Sequence, residues 1–195
     1  MPSIRNVLGD DSQLYENIIK KVNFNLRCCI PGVIQQYDPK TNTASIQPAI
    51  REEIVNEDNT VSYLNLPMLI NVPVLIPGGS SCGITFPLSN GDECLVLFSD
   101  LSIDNFWLKG NVQNPIEVRR HDLSDGLAIP SPISKAKVKK INDELIITYG
   151  NSKIKMEKGE ITFSSDSGQI TLSQMVYLLT HKHKDSLGGS TSAPD

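Results

Sequence analysis

The sequence contains no apolar run of 18 residues, the length that a helix needs to span a membrane, and its N-terminus lacks the apolar core of a signal peptide. We therefore expect no transmembrane segment, and we expect the chain to stay in the cytoplasm unless a larger assembly delivers it. His-Glu-x-x-His and Cys-x-x-Cys motifs are also absent. These absences argue against an integral membrane protein and a single-chain zinc site.

The four cysteines, Cys28, Cys29, Cys82 and Cys94, lack the spacing of a zinc site, and the adjacent pair is poorly placed for a disulfide. We therefore expect buried free thiols. The net charge of −4 is unevenly spread, because residues 135–185 hold nine lysines against six acidic residues and the remainder carries −7. The basic segment could favour anionic surfaces, or its lysines could simply keep a β-structure soluble.

A ladder of short alternating strands is predicted over residues 138–183. Apolar residues recur at every second position, as Leu145, Ile147 and Tyr149, then Ile154 and Met156, then Ile161 and Phe163, then Ile170 and Leu172. Turn residues separate these groups at 142–143, 150–151, 158–159 and 166–168. Alternation of this kind is typical of strands with one wet face, and no run is long enough at period 3.6 to favour a helix.

Such a ladder is too thin to be stable alone, since each strand offers only two or three apolar groups to a core. Apolar burial at about 25 cal/mol per Å² roughly cancels an ordering cost of about 1.5 kcal/mol per residue. The apolar face must therefore be covered, either by an upstream domain of the same chain or by identical chains. Three copies winding around one axis would cover the faces and remove the free edges.

His181 and His183 follow the ladder. In an extended chain, residues i and i+2 point the same way, so the two imidazoles share a face. Neutral imidazole is a ligand for iron, nickel, copper and zinc, and three chains would supply six nitrogens, enough to fill an octahedron. Without a trimer, the same pair is more typical of a solvated tail. The small residues at 188–195 suit a tight reversal, although a disordered tail has the same composition.

The one clear helical pattern lies in residues 1–23, where Leu14, Ile18 and Val22 recur at every fourth position. The N-terminal end is marked by three residues that can cap a helix, and two lysines mark the C-terminal end. These residues are Asp10, Asp11 and Ser12, then Lys20 and Lys21. An isolated helix of this length needs a partner surface, on its own barrel or on another protein.

Residues 24–107 are predicted to be all-β. The predicted strands are 32–37, 44–50, 61–64, 69–75, 84–86 and 94–98, with a hairpin loop at 38–42. The last strand is apolar on both faces and is predicted to be central, whereas Pro73 and Pro87 predict edge or strand-end positions. Five or six short strands favour a small Greek-key barrel. Residues 111–132 are rich in turn formers and are predicted to be a linker.

His121, Asp122 and Ser124 contain the residue types of a catalytic triad, but they are neighbours in sequence. A triad requires residues that converge in space. We therefore expect no catalysis at this segment and no enzymatic activity.

Five short motifs together resemble one family. They are PVLIP at 73–77, GD at 91–92 before an apolar strand, FSDLSIDN at 98–105, RHDLSDG at 120–126 and HKH at 181–183. In this order, over roughly residues 24–195, they resemble the central spike proteins of contractile-tail phages. These membrane-puncturing baseplate proteins also occur in phage-tail-like bacteriocins.

The resemblance implies an all-β fold, in which an OB-fold barrel (24–115) is followed by a linker or collar (116–137), a trimeric β-helix shaft (138–180) and a metal-binding apex (181–195). Residues 1–23 lie outside the resemblance, and we expect them to form an N-terminal amphipathic helix that serves as a hub-contact segment. The resemblance also implies one iron ion per homotrimer, held by His181 and His183 of three chains. Imidazole chemistry alone would also admit nickel or zinc.

The function implied is structural. The barrel would dock on hub proteins of the baseplate, and the tip would pierce the target cell envelope when the tail sheath contracts. The alternative is an OB-fold nucleic-acid-binding module with a β-rich oligomerisation extension. That alternative needs a basic groove with exposed aromatic residues, and aromatics make up only 6% of this chain.

Overall fold

Strands make up most of the regular structure in the computed structural model, which describes residues 11–79, 81–138, 143–184 and 186–190. The chain divides into two compact units, Met1–Lys139 and Lys140–Asp195. The expectation of an all-β fold is confirmed in its general form, although three α-helices accompany the strands in the described residues. No helix there is long and apolar enough to cross a membrane.

The first unit contains two helices and seven strands among its described residues. In chain order they are α1 (Asp11–Asn25), β1 (Cys29–Asp38), β2 (Thr43–Pro48), β3 (Glu52–Val55), β4 (Val61–Leu64), β5 (Leu69–Pro73), β6 (Glu93–Phe98), α2 (Asp104–Lys109) and β7 (Gly126–Pro130). A short 3₁₀ turn, Leu123–Asp125, leads directly into β7.

Five of these strands form one antiparallel sheet in the order β5-β2-β1-β6-β7, and β3 pairs with β4 as a separate hairpin. The large sheet curls until its two edge strands meet. Val74, just after β5, forms a parallel bridge with Ala128 of β7, and the backbone N–H of Leu75 donates to the Ala128 carbonyl at 2.8 Å. Curling of this kind covers edges that would otherwise be open to pairing with other chains.

The concave face of the curled sheet holds a continuous apolar core. Its buried members are Ile34, Ala44, Ile46, Leu69, Val72, Val74, Cys94, Val96, Phe98 and Ala128. Packing between β1 and β2 is close enough to require glycine at position 32, since a Cβ there would lie 2.4 Å from Cγ2 of Ile46. Burial also raises the pKa of the Cys94 thiol to about 11, because the thiolate would lose its hydration.

The predicted strands are confirmed for five of the six segments, with differences of a few residues at their ends. The predicted strand 84–86 is wrong, and Ile84 there is exposed outside any strand. β6 is interior but not central, because β1 occupies the middle of the sheet. Pro73 ends an edge strand, as predicted, so its missing N–H costs the sheet no hydrogen bond.

The interpretation of residues 116–137 as a linker needs correction. Gly126–Pro130 is the strand β7, paired with β6 along its whole length. The chain beyond it is also held, since the Glu93 carboxylate accepts hydrogen bonds from the backbone N–H groups of Ile133 and Ser134, each at 2.7 Å. The side-chain and backbone hydrogen bonds from Ser134 lower the pKa of Glu93. Turn-forming composition predicted a loop because it carries no information about distant pairing partners.

The cysteine prediction is right about free thiols and wrong about their burial. All four are free, but only Cys94 is buried, whereas Cys28, Cys29 and Cys82 are exposed. Cys28 precedes β1 and Cys82 lies in the irregular segment between β5 and β6, so neither side chain lies in the apolar core.

The predicted N-terminal helix is confirmed as α1, which runs two residues beyond the predicted end at 23. Asp10 and the rest of 1–10 lie outside the described residues. The apolar side chains at Leu14, Ile18 and Val22 are 50–58% exposed. The partner surface that the sequence requires for this helix is therefore not supplied within the described part of the first unit.

A network of ion pairs around Arg119 fastens the segment between β6 and β7. Asp125 is fully buried, and its carboxylate accepts from Arg119 Nε at 2.7 Å and from the backbone N–H of Ile103 at 2.9 Å. Arg119 also donates to Asp104 at 2.6 Å and to the exposed Glu117 at 2.9 Å. The hydrogen bonds that Arg119 donates to Asp125 and then to Asp104 raise the pKa of Arg119 above its ordinary value.

We predict that Asp125→Ala lowers the free energy of unfolding by about 3 kcal/mol, because removing one partner of a buried pair leaves the other charge uncompensated. Glu117→Gln is the matched control, since it removes an exposed partner of the same arginine and should cost less than about 1 kcal/mol. Urea unfolding of the full chain measures both. Similar losses from the two variants would contradict the central place of Asp125 in the network.

Candidate functional site: the meander and its paired histidines

The second unit is a four-stranded antiparallel meander followed by a helix. Its elements are β8 (Leu145–Tyr149), β9 (Ser152–Glu157), β10 (Glu160–Ser165), β11 (Gly168–Thr171) and α3 (Leu172–Thr180). The strands pair in the order β11-β10-β9-β8, each with its neighbour in sequence. The predicted turns after β8, β9 and β10 are confirmed, and Gly150 and Gly159 adopt the positive φ angles that such tight turns favour. The first predicted turn, 142–143, lies partly outside the described residues.

The register of this meander gathers its apolar residues on one face. Ile147 pairs with Ile154, which pairs on its other side with Phe163. Phe163 in turn pairs with Ile170, and Met156 lies between Leu145 and Ile161. Paired residues lie on the same face of a sheet, so these side chains form one apolar surface. We call this surface the apolar face.

The apolar face is not covered by the described part of the second unit itself. Leu145 is 61% exposed, Ile147 is 54% exposed and Phe163 is 40% exposed. None of the residues that the structure describes in the second unit is buried. Exposed apolar surface of this continuity, unlike scattered single residues, is typical of interaction surfaces and binding grooves.

The opposite face of the meander is polar. Lys155 forms ion pairs with Glu157 at 2.9 Å and with Glu144 at 3.6 Å. The hydrogen bond that Lys155 donates to Glu157 raises the pKa of Lys155, and the same contact lowers the pKa of Glu157. Exposed pairs contribute little stability. They do identify the face that remains in water when the apolar face is covered.

The prediction that the ladder continues in extended form as far as the histidines is wrong. The last strand ends at Thr171, and Leu172–Thr180 forms the helix α3. A capping box starts it, in which the Thr171 hydroxyl accepts from the backbone N–H of Gln174 and the Gln174 side chain accepts from the backbone N–H of Thr171. The Thr-x-x-Gln spacing was a readable signal for a helix start.

α3 is apolar on most of its surface, and its large side chains are exposed. They are Leu172, Met175, Val176, Tyr177, Leu178 and Leu179. A helix that is apolar all round is normally buried. α3 therefore adds to the surface that the described part of the second unit leaves uncovered.

The two histidines meet at the C-terminal end of α3. His181 caps the helix, and its Nδ1 lies 2.8 Å from the Leu178 carbonyl oxygen. Because a carbonyl can only accept, Nδ1 carries the hydrogen and Nε2 presents a lone pair. That Nε2 lies 2.9 Å from Nε2 of His183, and the ring of Tyr177 stacks on His181. The two imidazoles therefore lie side by side directly after a helix cap, and not at the end of a strand.

The 2.9 Å between the two Nε2 atoms is a hydrogen-bond distance between the rings, and the same separation is compatible with two ligands of one metal ion. At metal–nitrogen distances of about 2.0–2.1 Å, two ligands at a right angle lie about 2.9 Å apart. The contact between His181 Nδ1 and a carbonyl is also the usual partner that orients a ligating histidine. Among the residues described, no three His, Cys, Asp or Glu side chains cluster closely enough to hold a metal. One chain therefore offers two ligands.

The chain reverses shortly after the histidines. Lys184 forms a single antiparallel bridge with Ser190, and Gly188 has a φ of 87° between them. The small residues that were predicted to suit a tight reversal therefore lie in such a reversal, between Lys184 and Ser190. Residues 191–195 lie outside the described part of the chain.

The structure does not assemble a triad from His121, Asp122 and Ser124. Nδ1 of His121 lies 3.1 Å from the Arg27 carbonyl, and its Nε2 lies 3.3 Å from a carboxylate oxygen of Asp100. The Asp122 carboxylate instead accepts from the backbone and hydroxyl of Ser124, which forms a local turn and lowers the pKa of Asp122.

Sequence reasoning did not identify the Arg119 network or the aromatic segment that it holds. The motif at 120–126 was noticed, but Arg119 lies outside it and its partner Asp104 lies 15 residues upstream. The exposed Phe106, Trp107 and Leu108 follow Asp104 on α2. Helix α2 has six residues and none of them is buried, so its apolar pattern is too short to be recognised as a helix in the sequence.

The first unit, with its curled five-stranded sheet, and the second, with its four-stranded meander, define a mostly β protein. The chain belongs to the family of the phage protein Gp138 N-terminal domain, whose model matches residues 30–131, just over half of the 195 residues. That match spans all five strands of the curled sheet. A search of curated proteins found no match. Family membership supports a structural tail or baseplate protein of a phage, associated with the virion.

We predict that Thr171→Ala weakens α3 by about 1 kcal/mol, because it removes the side chain that caps the first turn. The amides of residues 176–181 should then exchange with solvent about fivefold faster. Thr148→Ala is the matched control, since that threonine lies on the polar face of β8, opposite Lys153 of β9, and caps no helix. Equal protection of α3 in the two variants would contradict the capping role.

Proposed function

We propose that the protein is the central spike of a contractile-tail baseplate and that it pierces the target cell envelope when the tail sheath contracts. The observation that carries the proposal is the uncovered apolar face of the β8–β11 meander. A mechanical role of this kind requires stiffness and a firm tip, and it requires no catalytic group.

The proposed arrangement of the second unit is a homotrimer in which three meanders wind into one β-helix. Full burial of a single large apolar side chain contributes about 1.5–3 kcal/mol, and the apolar face carries several such side chains on each chain. The edge strands β8 and β11 each have a partner on one side only within the described residues. Three chains pairing edge to edge would cover both the edges and the apolar faces.

For the first unit we propose an OB-fold. Five antiparallel strands curled into a partly closed sheet, with a contact between the two edge strands, support this assignment. We propose that this unit and the N-terminal segment dock on hub proteins of the baseplate. The acidic balance of the chain outside 135–185 disfavours nucleic acid, because phosphate contacts are made mainly by lysine and arginine.

At the tip we propose that His181 and His183 of three chains hold one metal ion through six nitrogens. Iron is the metal that the resemblance to central spike proteins implies, and nickel or zinc would also accept imidazole ligands. The ion would join the three chain ends at the point where load is greatest. His181 is oriented for this role by Leu178 and Tyr177 of its own chain.

We predict that the purified protein has the mass of a trimer and that Phe163→Glu converts it to monomers. The substitution places a charge at the centre of the apolar face, where burial without a partner is costly. Thr162→Glu is the matched control, because residue 162 is adjacent in β10 but lies on the polar face beside Lys155. Light scattering coupled to size exclusion measures the masses.

A monomeric mass for the unmodified protein would reject the trimeric spike. Trimers that persist in Phe163→Glu at the concentration where the unmodified protein is trimeric would show that the apolar face is not the surface that holds the chains together.

We predict roughly one metal ion per three chains in the trimer, with loss of the metal in His181→Ala and in His183→Ala, since either change halves the imidazole ligands. Lys182→Ala should keep the metal, because it lies between the two ligands and its side chain is not an imidazole. Elemental analysis of freshly purified protein gives both the identity and the stoichiometry. One metal per chain, or none, would contradict a shared site.

A further inference from the structure

Helix α3 carries a stripe of large apolar side chains that the described part of the second unit leaves exposed. Leu172, Met175, Val176 and Leu179 follow the spacing i, i+3, i+4 and i+7, which places them on one side of the helix. Their exposed fractions run from 38% for Met175 to 66% for Leu179. The proposed β-helix covers the meanders and gives this stripe no partner. We call these four residues the α3 stripe.

The N-terminal end of α3 has its backbone donors occupied within the chain. The backbone N–H of Gln174 donates to the Thr171 hydroxyl at 3.1 Å. The backbone N–H of Ser173 donates to the Glu160 carboxylate of β10 at 3.2 Å. These are donors that a helix start normally leaves to water.

The C-terminal end of α3 is closed in the same way. The Thr180 hydroxyl donates to the Val176 carbonyl at 2.7 Å. The Tyr177 carbonyl accepts the backbone N–H of His181 at 2.8 Å, and the Leu178 carbonyl lies 2.8 Å from its Nδ1. A helix whose terminal groups are satisfied internally can enter hydrocarbon without losing hydrogen bonds to water. The ends of α3 therefore suit a surroundings without water.

The segment that follows α3 is basic. Lys182 and Lys184 are exposed, and no acidic residue occurs from Leu172 to Lys184. In the proposed trimer six of these lysines would gather around the proposed metal ion, and the three Asp185 carboxylates would balance only half of them. Like charges that gather in this way repel each other. An anionic surface relieves that repulsion, whereas a further copy of the same segment adds to it.

We infer that α3 and the two lysines after it form a lipid-binding element, in which the α3 stripe inserts into one leaflet of an anionic phospholipid bilayer. The inference rests on the proposed function, because a spike driven into an envelope brings its C-terminal end to a membrane. Nine residues at about 1.5 Å each make about 14 Å, close to half of the roughly 30 Å hydrocarbon core, so α3 fits within one leaflet. Apolar insertion and attraction between lysine and phosphate together give stable binding where either alone is marginal.

Co-sedimentation of the purified full chain with vesicles tests the contribution of charge. Binding to vesicles of phosphatidylglycerol mixed with phosphatidylcholine should be at least about tenfold tighter than binding to phosphatidylcholine alone, since each lysine near an anionic surface strengthens binding about fivefold. Lys182→Gln combined with Lys184→Gln should remove most of that difference. Lys153→Gln combined with Lys158→Gln is the matched control, since both lysines are exposed in β9 or the turn after it, and it should leave the difference unchanged.

The contribution of the α3 stripe is tested on the same vesicles. Leu179→Gln should weaken binding to the anionic vesicles about tenfold, because it removes the most exposed member of the stripe while glutamine keeps a similar helix propensity. Val112→Gln is the matched control, since Val112 is 99% exposed and belongs to the first unit, and it should bind as the unmodified protein does. Circular dichroism checks that both variants keep their fold.

Light scattering on the same samples separates this inference from the proposed function. A trimer that does not bind the phosphatidylglycerol vesicles, or whose binding survives Leu179→Gln, would overturn the lipid-binding element and leave the spike standing. If Leu179→Gln dissociates the trimer, a second copy covers the stripe, and the inference is overturned in that case too. A monomeric unmodified protein that binds the vesicles through α3 would reject the spike and keep lipid binding, and a monomer that does not bind them would reject both.

Discussion

The uncovered apolar face of the meander is the constraint on which the second unit depends. Strand order and register are complete within one chain, since each strand pairs with its neighbour through a turn of two residues. Local pairing of this kind forms readily, because little loop-closure entropy must be overcome. What one chain lacks is a second layer to pack against, as any sheet with an apolar face requires. The ion pairs of Lys155 identify the opposite face as the one that remains in water, so only one side of the sheet is left to be covered.

The first unit meets the same requirement within a single chain. Its sheet curls until Val74 and Ala128 meet, and the enclosed face holds a core with Ile34, Ile46 and Val96 fully buried. The Arg119 network then fixes the long connection between β6 and β7 on that sheet. The family match coincides with this self-contained part. A structural phage protein can thus combine a unit that folds by itself with a unit that we propose is completed by identical chains.

Much of the second unit could be predicted because its signals are local. Alternation of apolar residues depends only on neighbours in sequence, and so does the use of glycine in turns that need a positive φ. The predicted strands that contain Ile147 and Ile154 do pair with each other. We missed α3 because we continued the strand alternation of Ile170 and Leu172 through the capping box that starts the helix. A short apolar run does not by itself distinguish a strand from a helix. In the first unit β7 was missed for a different reason, since turn-forming composition does not reveal that Gly126–Pro130 pairs with β6.

By itself, therefore, the sequence determined the strands with strong periodicity, the turns between them and the helix α1. It also determined that His181 and His183 lie two residues apart in the chain. Those features follow from backbone geometry over a few residues. Only the tertiary structure decided that β1 lies at the centre of the curled sheet, that Arg119 reaches both Asp104 and Asp125, and that a helix cap orients His181. These features join residues that are distant in sequence, or depend on which of two local conformations packs better, and no local pattern contains that information.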